Sequence, residues 1–123
     1  QENQQKRLFT ELNDAISAFV KDLKSNNRFQ DVILMTFSEF GRRVAQNASG
    51  GTDHGTANNM FFVGGGLKQK GLINLMPDLN DLNEGDLKHT VDFKSVYATV
   101  LRKWLDADDQ KILGKRYDYM NFV

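Results

Sequence analysis

The sequence predicts an α/β fold of three layers, in which two helices flank a sheet. Three patterns support this fold class. Residues 5–24 carry apolar side chains at helical spacing, residues 32–37 form a short apolar run of β-branched and aromatic residues, and residues 93–105 repeat the helical pattern. Helices with one apolar stripe and a strand of this composition bury their apolar surfaces best against each other.

The first predicted helix runs from about Gln5 to Lys24. Its apolar side chains recur every three or four residues, and they are Leu8, Leu12, Ala15, Ile16, Phe19, Val20 and Leu23. Such a stripe is typical of a helix that packs on a sheet. The polar run Ser25-Asn26-Asn27 ends the helix.

Two strands are predicted after this helix, over residues 32–37 and 59–63, and we expect them to be neighbours in one sheet. The segment between them, residues 38–58, is polar and rich in glycine, so a loop is expected there. Ligand-binding residues of α/β sheets gather just beyond the carboxyl ends of strands. The start of this loop is therefore the first place to look for a functional site.

The remaining chain is predicted to be a surface excursion, a second helix and a tail. Turn-forming residues within 67–90 favour irregular structure. Asp92 is a suitable N-cap for a helix over residues 93–105, and the apolar face of that helix belongs to the core. The apolar side chains of residues 111–123 predict that the tail lies back across the domain.

Composition excludes several classes of function. The chain balances 16 Lys and Arg against 16 Asp and Glu and has no basic run, so nucleic acid is not an expected partner. No apolar window is long enough to span a membrane, and the first residues lack the apolar core of a signal peptide. With 123 residues, the chain is expected to be a single domain, residues 1–123, and a fragment of a larger α/β protein.

The residues that are best suited to chemistry lie in the loop and at its junction with the second strand, in the sequence SEFGRRVAQNASGGTDHGTANN of residues 38–59. The imidazole of His54 is a good metal ligand, and Glu39 and Asp53 offer carboxylate oxygens. The alternative is that Asp53 caps a turn while His54 forms a hydrogen bond within the loop. Ser38 is not expected to be a nucleophile, because no Gly-x-Ser-x-Gly sequence surrounds it.

Arg42 and Arg43 have two interpretations. A planar guanidinium group suits bidentate binding of phosphate, sulfate or carboxylate. The alternative is a salt bridge that fixes the loop to Glu39, Asp53 or another acidic residue. We expect one of the two arginines to bind an anion and the other to form such an ion pair.

Three separated segments carry a resemblance to a known family. SEFGRRVAQN, GGTDHGTANNMFFVGGG and DFKSVYATVLRKWL resemble, in this order, the C-terminal part of a bacterial family of unknown function that is grouped with the alkaline phosphatase and sulfatase superfamily. The similarity covers about Asn3 to Val123. It implies an alkaline-phosphatase-like sheet and an exported or periplasmic protein. It also implies that an N-terminal portion of the same protein, absent from this sequence, is the partner of this chain.

The superfamily resemblance is carried over residue by residue. In the superfamily, a strand ends in Asp-His-Gly, whose first two residues bind one metal, and a later His before another strand binds the second metal. Glu39-Phe40-Gly41 matches the first position and His54 matches the later His. Because the Phe40 ring cannot bind a metal, one of the two metal sites is expected to be altered or lost, and Asp53 is a nearby ligand that could compensate.

Two functions follow from the resemblance. The first is a metal-dependent hydrolase of a small anionic phosphate or sulfate ester. The proposed ligands of its divalent Zn, Mn or Ca ion are Glu39, Asp53 and His54, and the proposed substrate-binding residues are Arg42 and Arg43. The second is a catalytically degenerate exported binding or scaffold protein. The superfamily nucleophile lies early in full-length chains, so this chain alone is expected to be inactive, and no metal is assigned to it with certainty.

Overall fold

The fold is a mixed α/β structure, seen in a computed structural model that describes residues 2–123. The helices are α1 Glu2–Ser25, α2 Phe93–Thr99 and α3 Asp109–Leu113, with a 3-10 turn at Phe29–Asp31 and a π-helical turn at Val100–Trp104. The strands are β1 Ile33–Met35, β2 Gly41–Gln46, β3 Thr52–Gly55, β4 Phe62–Gly64, β5 Leu82–Asn83 and β6 Asp86–Leu87.

The strands pair as three separate antiparallel sheets, β1 with β4, β2 with β3 and β5 with β6. The prediction that the first and second apolar strands are neighbours is confirmed, with Leu34 opposite Val63. Their predicted bounds were wrong, because β1 is shorter than residues 32–37 and β4 begins three residues later than expected. At this end of the sheet the Thr36 N–H donates to the Phe61 carbonyl oxygen at 3.0 Å, while the Phe61 N–H donates to the Thr36 hydroxyl at 2.9 Å, so a side chain takes the place of one backbone acceptor.

The prediction of a loop over residues 38–58 was wrong, because most of this segment forms the β2–β3 hairpin. Its turn depends on Asn47, whose Oδ1 accepts hydrogen bonds from the N–H groups of Ser49 and Gly51 at 3.0 and 3.1 Å. Gly50 has a φ of 65°, a backbone conformation that glycine adopts without strain. The polar residues on both faces of β2 concealed the strand, since they show no alternation of apolar and polar residues.

Helix α1 confirms the first predicted helix, but its apolar stripe does not pack on a sheet as expected. Ile16, Val20 and Leu23 are half-buried, and none of the helix residues is fully buried. Leu8 and Phe9 are exposed, the latter to 65%. The β1–β4 sheet has only two short strands, so it offers too little surface to cover a helix of 24 residues.

The segment 67–90 is largely irregular, as predicted, except for the short β5–β6 hairpin. Its two turn residues, Glu84 and Gly85, have φ angles of 50° and 90°. Positive φ at both central residues is the pattern of a type I′ turn, whose twist matches that of the strands it joins. This hairpin contributes a charged residue to the site described below.

The second predicted helix and the tail form a small core. Asp92 caps α2 as predicted, since its Oδ1 accepts a hydrogen bond from the Lys94 N–H at 2.8 Å. The helix is α-helical only to Thr99 and then widens into the π-helical turn. The predicted return of the tail is confirmed, because Phe122 and Val123 are buried to more than nine-tenths together with two apolar residues of α2.

Contacts divide the chain into two compact units. One comprises residues 2–66 and Asp78–Lys88, and the other comprises Leu67–Pro77 and His89–Val123. The buried apolar residues found among residues 2–123 all belong to the second unit. Within residues 2–123, no helix combines the length and apolar character needed to cross a membrane.

Candidate functional site

The β2–β3 hairpin brings Arg42 and His54 together. The two residues lie directly opposite each other on the paired strands, and side chains in that relationship share one face of the sheet. Glycines allow the hairpin to close at this point. A Cβ atom on Gly41 would overlap the carbonyl oxygen of Ala57, and one on Gly55 would lie only 2.9 Å from the carbonyl carbon of Arg42.

Phe40 packs against both of these residues. Its ring stacks on the His54 imidazole with centroids 3.6 Å apart and planes 19° apart. The Cζ atom of Arg42 lies 5.3 Å from the centroid of the same ring, within the range of a cation–π interaction. We call this cluster of Phe40, Arg42 and His54 the Arg42 face.

The guanidinium group of Arg42 is oriented by one further contact. Its Nη1 donates a hydrogen bond of 2.8 Å to the carbonyl oxygen of Thr52. Arg42 forms no ion pair with any of residues 2–123, and it is exposed. A guanidinium group has several other N–H donors, so Arg42 keeps the capacity to bind an anion.

Arg43, in contrast, is held by an acidic residue of the β5–β6 hairpin. Its Nε and Nη2 donate to Oδ1 and Oδ2 of Asp86 at 3.2 and 3.4 Å. The Asp86 side chain is only 18% exposed and that of Arg43 is 40% exposed. This bidentate pair is the ion pair that was expected for one of the two arginines, and sequence reasoning did not identify Asp86 as its acid.

The two candidate carboxylates lie in different surroundings. Asp53 Oδ1 accepts a hydrogen bond of 2.9 Å from Asn47 Nδ2, so the residue that forms the turn also orients this carboxylate. The single O–H of Ser38 lies within hydrogen-bond distance of two acceptors, Glu39 Oε2 at 3.3 Å and the Phe40 carbonyl oxygen at 3.0 Å. Both carboxylates are exposed.

A shallow depression of about 470 Å³ connects most of these residues. It is lined by Arg42, Arg43, Asn47, Thr52, Asp53 and His54. Of the five residues singled out in the sequence, Glu39 is the one that does not line it. Within residues 2–123, no group of three or more His, Cys, Asp or Glu side chains is arranged to hold a metal ion.

Asn47 and Asp86 are the site residues that the sequence analysis missed. The signal for Asn47 is the sequence Asn-x-Ser-Gly-Gly, in which a side-chain acceptor precedes two glycines, as in many turns. Asp86 could have been found only through the Glu84-Gly85 turn, because it lies 43 residues from Arg43 along the chain.

Comparison with known proteins identifies a family for this chain. A family model described as "Protein of unknown function (DUF1501)" matches residues 1–116. No curated protein and no solved structure matches the chain.

Proposed function

Because the chain belongs to the DUF1501 family of proteins of unknown function, we propose a function from its geometry: the Arg42 face binds the anionic group of a phosphate or sulfate ester. This membership agrees with the family of unknown function that the three sequence segments predicted. The relation of the family to alkaline phosphatases and sulfatases is part of the proposal.

The position of Arg42 beside His54 carries this proposal. Arg42 is an exposed cation with no acidic partner among residues 2–123, and a cross-strand neighbour of an imidazole. The Thr52 carbonyl and the Phe40 ring orient its guanidinium group before any ligand binds. An oriented guanidinium loses less conformational freedom when it binds an oxyanion.

Each residue of the Arg42 face has a role in this binding mode. The remaining N–H groups of Arg42 donate to two oxygens of the sulfate or phosphate group in a bidentate contact. The His54 ring provides a further hydrogen-bonding nitrogen on the same side of the hairpin. Phe40 fixes the plane of the imidazole through the stacked contact.

Residues 2–123 do not fit a complete metal centre. Glu39, Asp53 and His54 remain the proposed ligands, but among residues 2–123 no three donors are grouped for an ion. Phe40 also covers one face of the His54 ring. A metal-dependent hydrolase therefore requires further ligands from the proposed N-terminal portion of the same protein.

The first unit of the structure supports the proposal of such a portion. The apolar sequence of β1 is typical of a strand that is covered on both faces, yet its three residues are only half-buried, and among residues 2–123 β1 pairs with β4 alone. Helix α1 leaves most of its apolar stripe exposed. An alkaline-phosphatase-like, three-layer sheet in an exported protein would cover these surfaces with additional strands and helices.

A catalytically degenerate binding or scaffold protein is the second candidate function. It is favoured by the stacking of Phe40 on His54, because the position that would match a metal-binding His instead packs a hydrocarbon ring against the remaining imidazole. This candidate keeps the anion-binding role of Arg42 and removes the chemical step.

Hydrolysis assays separate the two candidates. The assay compares 4-nitrophenyl phosphate and 4-nitrophenyl sulfate as substrates for this chain, for the protein encoded by the complete gene, and for a His54→Ala variant of that longer protein. For the hydrolase, we expect turnover by the longer protein alone, and its loss in a folded His54→Ala variant. Ester binding without turnover by the longer protein would support the degenerate binding protein.

Hydrolysis by this purified chain, above a heat-inactivated control, would contradict the proposed arrangement. Absence of both binding and turnover in the longer protein would contradict the proposed function itself.

A further inference from the structure

We infer that Asp86 is a specificity-determining residue that controls how strongly the depression prefers doubly charged over singly charged anions. The inference rests on the proposed function, since it assigns a substrate preference to the same anion site. In this inference the β5–β6 hairpin, which no sequence motif linked to the site, acts on the depression through the contact of Asp86 with Arg43.

Three charged residues border the depression. Arg42 contributes one positive charge, and Asp53 contributes one negative charge. Arg43 also lines the depression, but its guanidinium group is paired with both oxygens of Asp86. The Arg43–Asp86 pair therefore adds no net charge, although Arg43 is itself one of the residues that line the depression.

Several contacts within the first unit hold the Arg43–Asp86 pair in place. The Asp86 side chain is mostly buried. The β5–β6 hairpin is also held at the end of the β2–β3 hairpin, because the Thr56 hydroxyl donates a hydrogen bond of 3.2 Å to the Leu87 carbonyl oxygen. Gly85 brings the turn close to Arg43, since a Cβ atom there would lie 3.4 Å from Arg43 Nη1. Bidentate pairing of this kind holds a guanidinium group in one position.

Neutralisation of Arg43 has a consequence for substrate choice. An added positive charge attracts a dianion twice as strongly as a monoanion at the same distance. A sulfate monoester carries one negative charge, whereas a phosphate monoester carries nearly two above its second pKa of about 6. By neutralising Arg43, Asp86 thus reduces the advantage that a phosphate monoester would have over a sulfate monoester.

A double-mutant cycle with two matched probes tests this inference. The probes are 4-nitrophenyl sulfate and 4-nitrophenyl phosphate, which differ in the charge of the ester group. Their Kd values are measured at about pH 8 and low salt for the unchanged chain, Asp86→Asn, Arg43→Gln and the double variant. Because the freed charge of Arg43 attracts a dianion about twice as strongly as a monoanion, we expect Asp86→Asn to tighten phosphate binding about tenfold and sulfate binding about threefold.

The other variants give matched controls. Arg43→Gln leaves Asp86 unpaired and is expected to weaken binding of both probes, and more strongly for the phosphate. The double variant has the same net charge as the unchanged chain, so its ratio of the two Kd values should return to the original value.

The outcomes distinguish this inference from the proposed function. Equal weakening of both probes by Asp86→Asn, or an unchanged ratio of the Kd values, would overturn the role of Asp86. If Arg42→Gln leaves the binding of both probes unchanged, the anion site itself is wrong. If Asp86→Asn unfolds the hairpin, Arg43→Gln and the double variant still test the inference, because they differ only in the charge of residue 86: an equal ratio of the two Kd values in these two variants would overturn the role of Asp86.

Discussion

The Phe40 ring stacks on the His54 imidazole, with ring centroids 3.6 Å apart. By resemblance, these two positions match those of two metal-binding histidines in the alkaline phosphatase and sulfatase superfamily. The proposed relation to that superfamily would require the two side chains to lie close in space, because they would correspond to ligands of neighbouring metal ions. The chain differs from the superfamily pattern, since only one of the two rings has nitrogen atoms.

The first prediction concerns Phe40, whose position matches, by resemblance, that of a metal-binding histidine. In Phe40→His, a second imidazole would stand beside His54, so we expect the Kd for Zn²⁺ to fall at least about tenfold. Isothermal titration calorimetry of this chain measures the change. The control is Phe40→Leu, which removes the aromatic ring without adding a nitrogen ligand. An equal gain in Phe40→Leu would show that the Phe40 ring merely blocks His54 and that the position is unsuited to a ligand.

The second prediction concerns the closure of the hairpin at Gly41. Gly41→Ala would place a methyl group into the Ala57 carbonyl oxygen, and the backbone must shift to relieve the overlap. We expect the free energy of opening of the β2–β3 hairpin, measured by hydrogen exchange, to fall by about 2 to 4 kcal/mol. Gly50→Ala is the control, because a Cβ atom at residue 50 would meet open space. The only expected cost is about 1 kcal/mol of backbone strain, from placing alanine at a positive φ. Equal effects of the two variants would refute the close approach at Gly41.

The third prediction concerns the turn. Asn47→Ala removes two acceptor contacts to turn N–H groups and the donor to Asp53. Loss of such hydrogen bonds should destabilise the hairpin by about 1 to 2 kcal/mol. Ser49→Ala alters a side chain in the same turn and keeps the backbone donor, so it serves as the control. Hydrogen exchange of the hairpin amides in the two variants compares them directly, and equal protection would contradict the role of Asn47.

The fourth prediction concerns the pH dependence of the second unit. Local desolvation of the Tyr119 hydroxyl, together with its hydrogen bond of 3.0 Å to Asp109, raises the pKa of Tyr119 above its usual value of about 10. The folded state therefore favours the neutral hydroxyl. The stabilisation is fully present below pH about 10 and is lost as the pH rises through the raised pKa.

The free energy of unfolding of the unchanged chain should consequently fall more steeply above pH about 10 than that of Tyr119→Phe. Urea denaturation at a series of pH values measures both curves. Tyr117→Phe controls for the removal of a tyrosine hydroxyl. Parallel curves for the unchanged chain and Tyr119→Phe would contradict the coupling.

Local sequence patterns predicted the elements that depend on nearby residues. Helix α1, the Asp92 cap and the pairing of β1 with β4 follow from apolar spacing and from one capping side chain. The β2–β3 hairpin does not follow from such patterns, because its strands carry polar side chains on both faces and its register shifts between Arg42 and Gln46. A pattern of alternating polarity cannot reveal such a hairpin.

The candidate site was predictable in its residue types and not in its contacts. The sequence identified Arg42, Asp53 and His54, which the structure places around one depression. The separate environment of Glu39 and the pairing of Arg43 with Asp86 depend on tertiary contacts. Asp86 reaches Arg43 only because the Glu84-Gly85 turn folds a distant segment against β2, and no local pattern contains that information.

The Kd of 4-nitrophenyl sulfate for the unchanged chain and for Arg42→Gln tests the central claim most directly. Arg28→Gln is the matched control, since it also removes an exposed arginine of the first unit. Arg28 pairs with Asp31 and does not line the depression. The account predicts that Arg42→Gln weakens binding about tenfold, as expected for loss of a charge-assisted bidentate contact, while Arg28→Gln changes it less than about twofold. Equal effects of the two substitutions, in variants that remain folded, would contradict an anion site at Arg42.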